Sequence, residues 1–541
     1  MRWLPFLACS LIQATLANGV RGEETTKANT LWKTAERRSE IYADCASNVR
    51  RLLQGWLDLK QDPKARLFSK GGKWDYHNEA ADHYSSLVLM AFYVNPQLNQ
   101  KGGALHETLV NSQRLCATPS GLPTTYDLKN FSQGEPATLG ALSEWLRDGL
   151  LRIVEVSGRD NDWYRELERL VDAMIAEADR RGGMVHAFRG PEPQGNILQT
   201  LARLYAMSGK QLYLDSAEEL ADAVLLDPQW AIRDIRFQDH GCELVPGLGE
   251  LFALECQLGR PKAAAYREPM RDLLDGILQS AAHPETGLLC QSAKDEDGKL
   301  EWRQSTDTWG YVLFTFDNYD QATGENRYRA AITKPMRWLT DNVSKYPSLK
   351  NTLWPRSNSS DDWSDSHESM LVLWNRYPDI EGAFDWLDWS TLGHCHRRFP
   401  ENKYGPYNGG HFDGSTGRCL CLHMMLCSQG VRAEPFAEGV GVGAARSDGE
   451  LLLTVRTAAP WNGVLRFDPP RTEHTAATIN WARLNEMPQW FVVRPQEKYR
   501  VEVGEAEAVV VEGSKLIDGF PVTVGRDATI RLCVRPAKTA G

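Results

Sequence analysis

Past its first seventeen residues the chain has no apolar run near the ~18 residues needed to cross a membrane; "LVLMAFYV", Leu87 to Val94, is long enough only for a core helix. Positive charge is also in short supply. There are 61 Lys and Arg against 71 Asp and Glu, a net charge of −10, which argues against a surface that wraps polyanions and excludes nucleic acid as the expected partner. The eleven cysteines are too scattered for a disulfide scaffold. Cys395, Cys419, Cys421 and Cys427 do cluster with His394 and His396, but their spacing matches no standard zinc finger, so core thiols or a disulfide are expected there and no metal or other cofactor. Strands are scarce from about residue 30 to 429.

The N-terminal segment "MRWLPFLACSLIQATLA" has a basic start at Arg2, an apolar stretch from Trp3 to Leu16 and a small residue, Ala17. It reads as a secretory signal over residues 1–17, for a secreted or periplasmic protein. From residue 30 to 430, apolar residues recur at helical steps, broken by Gly and Pro. Four helices are expected to end at Gly158, Gly209, Gly259 and Gly324, each followed by a short polar turn and a new amphipathic helix. At the opposite ends, long polar connections lead into more apolar helices, with Asn78, Pro136, Asn196, Gly241, Asp307, Ser366 and Gly414 as markers spaced 45 to 66 residues apart.

Such a repeat predicts a mainly α protein, an (α/α) toroid of six or seven hairpins whose inner helices all start at one mouth. An open solenoid is the competing architecture. From 434 to 541 the texture turns to alternating segments such as "ELLLTVRTA" and "YRVEVGEAEAVVVEG", read as a small β-sandwich.

The helix starts include "YHNEAAD", "DTWGY" and "DSHES". With the architecture, these motifs resemble the six-hairpin glycosidase superfamily over nearly the whole mature chain. The resemblance implies a glycoside hydrolase or a polysaccharide lyase acting on a poly- or oligosaccharide, with uronic-acid sugars prominent among substrates. It also implies acidic catalytic residues at inner-helix starts, which raises Asp307, Asp365 and Glu368.

Glycoside hydrolysis needs two carboxyl groups on different sides of the scissile bond. Asp307, Glu368, Asp365 and Glu243 are therefore the expected catalytic residues. Around them, His77, Asn78, Asp82, Asn196, Asp239, His240, Trp309, His367, Tyr404, His411 and Asp413 are expected to bind substrate, with Trp309 as a stacking surface. Against this stands a plainer reading of "DDWSDSHESMLVLW", in which Asp365 and Glu368 have the spacing of a capping box at a helix start. β-Elimination is the competing chemistry and would draw on His77, Asn78, Tyr84, His240, Tyr404 and His411. No string of basic residues at the helix starts favours it. A non-catalytic glycan-binding protein is the third reading.

Overall fold

The computed structural model describes residues 6–227, 237, 239–294, 300–306, 308–342, 360–395, 414–447, 449–472 and 480–537. The chain forms two compact units, one of Met1–Ser47, Met424–Pro469 and Gln489–Gly541, the other of Asn48–His423 and Pro470–Pro488.

The larger unit is built on fourteen main helices among the described residues, odd-numbered ones outside and even-numbered ones inside. In chain order they are α1 (Phe6–Leu59, of which the last turns belong here), α2 (Ser85–Val94, entered through a π-helical stretch, Asn78–Tyr84) and α3 (Ala104–Leu115). Next come α4 (Leu139–Glu144, π-helical Trp145–Leu150, then Leu151–Ser157), α5 (Asp162–Arg180), α6 (Pro191–Ser208), α7 (Gln211–Leu225) and α8 (Leu244–Leu258). The series ends with α9 (Pro261–Ala281), α10 (Trp309–Thr323), α11 (Arg329–Asp341), α12 (Ser360–Arg376), α13 (Ala383–Cys395) and α14 (Gly414–Ser428).

Their surfaces explain their places. Inner helix α8 buries every residue from Leu244 to Glu255, whereas outer helix α5 buries Trp163, Leu167, Leu170, Val171 and Met174 and exposes Arg165, Arg169 and Asp172. A helix buried all round needs a ring of amphipathic helices to cover it. The inner helices touch in sequence, α2 on α4, α4 on α6, α6 on α8, α8 on α10 and α10 on α12. The circle then closes, because Arg418 of α14 reaches Asp365 of α12 and Gly414 of α14 lies against the Asp82 carbonyl at the start of α2. Closure makes this a toroid of seven hairpins and excludes the open solenoid.

The four punctuating glycines behave as their positions predict, with positive φ at Gly158 (78°), Gly209 (70°), Gly259 (62°) and Gly324 (72°). Another glycine sets an inner-helix distance. A Cβ on Gly195 of α6 would fall 2.1 Å from the carbonyl carbon of Glu243, so only glycine lets α6 approach the start of α8 this closely.

Strands do occur in the toroid span. β1 (Lys73–Trp74), β2 (Thr124–Asp127) and β3 (Ser132–Pro136) form one antiparallel sheet, and β4 (Cys290–Lys294) pairs with β5 (Leu300–Ser305). Being two to six residues long, they carry too few alternations to register as a period-two pattern.

The smaller unit holds two antiparallel sheets. One has the order β11 (Val509–Glu512), β10 (Lys498–Val503), β13 (Ala528–Pro536), β8 (Glu450–Thr457), β7 (Gly441–Ser447). The other runs β12 (Phe520–Val524), β9 (Trp461–Arg466), β6 (Arg432–Glu434), and β12 touches β8 and β13. The N-terminal part of α1 packs on β7, where a Cβ on Gly443 would sit 1.9 Å from the Ala35 carbonyl oxygen. Between the strands, residues 470–472 and 480–488 leave the β-rich span and join the toroid.

Candidate active site at the toroid axis

The inner helices carry a buried ionic network where a hydrophobic core would be expected. Asp365 of α12 accepts hydrogen bonds from the Tyr311 hydroxyl of α10 (2.8 Å) and from the Arg418 guanidinium of α14. One turn on, Glu368 accepts from Tyr311 at 3.3 Å and from the backbone N–H of Asn485, and is ion-paired with Arg418 at 3.3 Å. Helix α12 starts at Ser360, so Asp365 lies inside it and neither acid caps it. The capping-box reading of this stretch is therefore corrected. Both side chains instead face one arginine and one tyrosine contributed by neighbouring inner helices.

Across the axis, Arg147 of α4 pairs with Asp148 (2.9 Å) and with Glu243 (3.2 Å), whose carboxylate also accepts from Gln199 at 3.2 Å. Burial disfavours the charge on Arg147, but Asp148, Glu243 and Glu144 more than offset it and hold the guanidinium above its ordinary proton affinity. Arg152 donates to Ser86 at 2.8 Å and lies 4.0 Å from Asp148.

The two sides are joined by the returning segment 480–488. The Asn485 side chain donates to Asp148 at 2.7 Å and accepts from Arg418 at 3.3 Å. Behind it Trp481 donates to Glu250 at 2.8 Å, Arg483 pairs with Glu155, and the Ala482 backbone exchanges two hydrogen bonds with the Asn318 amide, at 2.8 and 2.9 Å. Arg376 closes the set by donating to Glu486 at 2.9 Å. Glu155, Asn318 and Arg376 lie in the C-terminal halves of their helices and Glu250 near the middle of its own, so the segment enters the axis from the C-terminal side. Its Asn485 links the two ion-pair clusters.

The structure sorts the residues expected from sequence. Asp365, Glu368 and Glu243 reach this network. Of the three, Asp365 is the most open, with a 12 % exposed side chain, against 0 % for Glu368 and 3 % for Glu243. His77 is half exposed and pairs with Glu144 of α4. Asn78 is exposed at the mouth, and Asp82 is partly buried at the seam between α2 and α14. Asn196 is fully buried, with no hydrogen bond to its side-chain amide among the described residues.

Two expectations are corrected. Trp309 is fully buried and offers no stacking face. His367 is also fully buried and turns away from the axis, toward Thr391 of α13 (3.4 Å) and the His423 ring (5.4 Å). Both are apolar-face positions of inner helices, where helical spacing selects for packing. Asp307, Tyr404, His411 and Asp413 lie outside the described residues, as do the side chains of Asp239 and His240 in the 3-10 turn Asp239–Cys242. Tyr84 is core as well. Its hydroxyl donates to Leu105 O (2.8 Å), accepts from Trp163 (3.0 Å), and is pushed up by burial, which removes it as a base for elimination. Cys419, Cys421 and Cys427 are buried in the core.

Sequence reasoning missed Arg147, Asp148, Arg152, Tyr311, Arg418 and Asn485. For the first three the signal was present in "EWLRDGLLR", where charges interrupt an otherwise apolar inner helix. The tip Asn485 had no such signal, because residues 480–488 read as part of the β-rich region.

No protein family matches the chain, and no curated protein does. Solved structures do. The chain is similar to an inactive variant of the GH76A alpha-1,6-mannanase of Salegentibacter sp. HEL1_6 in complex with alpha-1,6-mannotetrose, at 13 % identity and TM-score 0.36, over 58 % of this chain and 94 % of that one. It is similar to the Lin0763 protein from Listeria innocua at 11 % identity and TM-score 0.38, over 71 % and 97 %. Endoglucanase CelQ from Clostridium thermocellum, complexed with cellotriose, matches at 12 % identity and TM-score 0.34, over 93 % of both chains.

Proposed function

We propose that the protein is a glycoside hydrolase acting on a poly- or oligosaccharide at the toroid mouth. The observation that carries this reading is the meeting of carboxylates from separate inner helices, Asp148 of α4, Glu243 before α8 and Asp365 of α12, around one buried set of donors. Two carboxyl groups on opposite sides of a sugar are what glycosidic hydrolysis requires. Asp365 is ion-paired with Arg418 and is the most open carboxylate of its cluster, which suits a base or nucleophile. Glu368 has no exposed surface, two hydrogen-bond donors and an ion-paired arginine on its carboxylate, so it positions Arg418 and Tyr311 and does not touch substrate. For the partner acid we take Asp307, on the sequence alone, four residues before Tyr311. A preference for uronate-containing glycans rests on the resemblance of the helix-start motifs to uronyl-active toroid enzymes.

The test is incubation with a panel of uronate-containing oligosaccharides, following reducing ends and ultraviolet absorbance together. Reducing ends should form with no new absorbance, and D365N and D307N should each lower kcat by about 10²- to 10⁴-fold, the range of a lost acid or base. New absorbance would mean elimination. Full activity in D365N would remove Asp365 from the chemistry.

A further inference from the structure

At the rim of the mouth three side chains from three consecutive inner helices converge, and the proposed hydrolysis uses none of them. They are His77 just before α2, Glu144 of α4 and Glu192 in the first turn of α6. One ligand atom of each, an imidazole nitrogen and two carboxylate oxygens, lies within 4.8 Å of the other two. His77 Nδ1 already contacts Glu144 Oε2. We propose that these residues bind one divalent cation of the zinc class.

The donor set is the first argument. Imidazole with carboxylate selects borderline metals such as Zn²⁺, whereas Ca²⁺ and Mg²⁺ take all-oxygen shells. Three protein ligands with a position left to solvent is the pattern of an open zinc site. Tetrahedral ligands at ~2.0–2.1 Å from zinc stand about 3.4 Å apart, so the outlying ligand must move in by no more than about 1.4 Å while the His77–Glu144 contact opens to admit the ion. The ligands can supply that movement, because Glu192 is only partly buried and the His77 side chain is 46 % exposed, while buried Glu144 (1 %) serves as the fixed anchor.

The backbone is the second argument. π-Helical turns are rare and cluster at functional sites. Here one begins at Asn78, directly after His77, another begins at Trp145, directly after Glu144, and the two stretches pack against each other. The widened turns re-aim these two side chains relative to the regular helix that follows. A third observation comes from α6. One turn beyond Glu192 on the same face, Asn196 is fully buried and its side-chain amide has no hydrogen bond among the described residues. Nearby Arg147 forms its ion pairs with Asp148 and Glu243, the charge of Glu144 acting on it more weakly.

The experiment uses the full chain, stripped with a chelator and titrated calorimetrically with ZnCl₂. One equivalent should bind with Kd below about 1 µM, and H77A, E144Q and E192Q should each weaken it at least about 10-fold, while H186A, at an exposed histidine elsewhere, should not. Zinc should raise the Tm of the wild type and of H186A but not of the three variants, a readout independent of hydrolysis. Absence of stoichiometric uptake, unchanged affinity in the three variants, or equal binding of CaCl₂ would each overturn the proposal.

Discussion

Asp365 and Glu368 share an arginine and a tyrosine one helical turn apart, yet the geometry gives them different work. Glu368 is sealed, and removing its charge leaves a buried arginine partly unmatched and a backbone N–H with a poorer acceptor. Breaking a buried pair in this way costs about 3–5 kcal/mol, so E368Q should lower the denaturant midpoint at unchanged m, with a smaller loss of kcat per folded molecule than D365N. D365N should show the reverse balance, a large loss of kcat with a smaller loss of stability. If E368Q is as stable as wild type, the pairing across the axis is not what holds α12 to α14. This distinction was only half legible in the sequence. The spacing of Asp365 and Glu368 put them on one face, but a capping box uses the same residue types at the same spacing, and only the helix start at Ser360 separates the two readings.

At the scale of elements, close approach of inner helices is what brings Glu243 to Arg147. Gly195 sits against the Glu243 backbone, and Gly247 of α8 lies back against α6, a Cβ there meeting the Gly195 carbonyl oxygen at 2.8 Å. Adding a methyl group at Gly195 must push the α8 start away, since its neighbour is backbone and cannot rotate aside. Overpacking of this kind costs about 1–3 kcal/mol, so G195A should destabilise the toroid by that much in urea unfolding. Alanine is otherwise the better helix former, by ~1 kcal/mol, so a neutral or stabilising outcome would show that the contact is slack. The hairpin period, the inner and outer alternation and the C-terminal strands were readable because each rests on local pattern. The axial segment 480–488 was not, since its fit depends on Glu250, Glu155 and Asn318, more than 150 residues away in sequence.

For the whole molecule, the buried acids fall into two opposed groups, and together they set how stability responds to pH. Glu155 is penalised by burial, but Arg483 beside it more than compensates and holds it below the ordinary carboxylate range. Its contribution is present above the unfolded value of 4.5 and is lost as pH falls through the lowered folded value. Glu79 behaves oppositely. Burial raises it from 4.5 to about 7, offset only in part by the Lys70 backbone N–H at 2.7 Å, and its second oxygen has no hydrogen bond among the described residues. Burial raises Asp317 too, and burial with neighbouring Glu218 raises Glu255. For these three the native state holds more protons than the unfolded chain between the two values, so stability falls as pH rises through the interval. These four groups together favour the acid side of neutrality. Replacing Glu79 by Gln removes one charge that must be desolvated at high pH, so E79Q should match wild type below pH ~4.5 and exceed it at pH 8. The gain should approach about 3 kcal/mol, since each tenfold rise in proton affinity on folding is worth roughly 1.4 kcal/mol. Urea unfolding of both proteins at pH 4.5, 6 and 8 checks this, and a difference that does not widen with pH would show that Glu79 stays ionised in the folded protein.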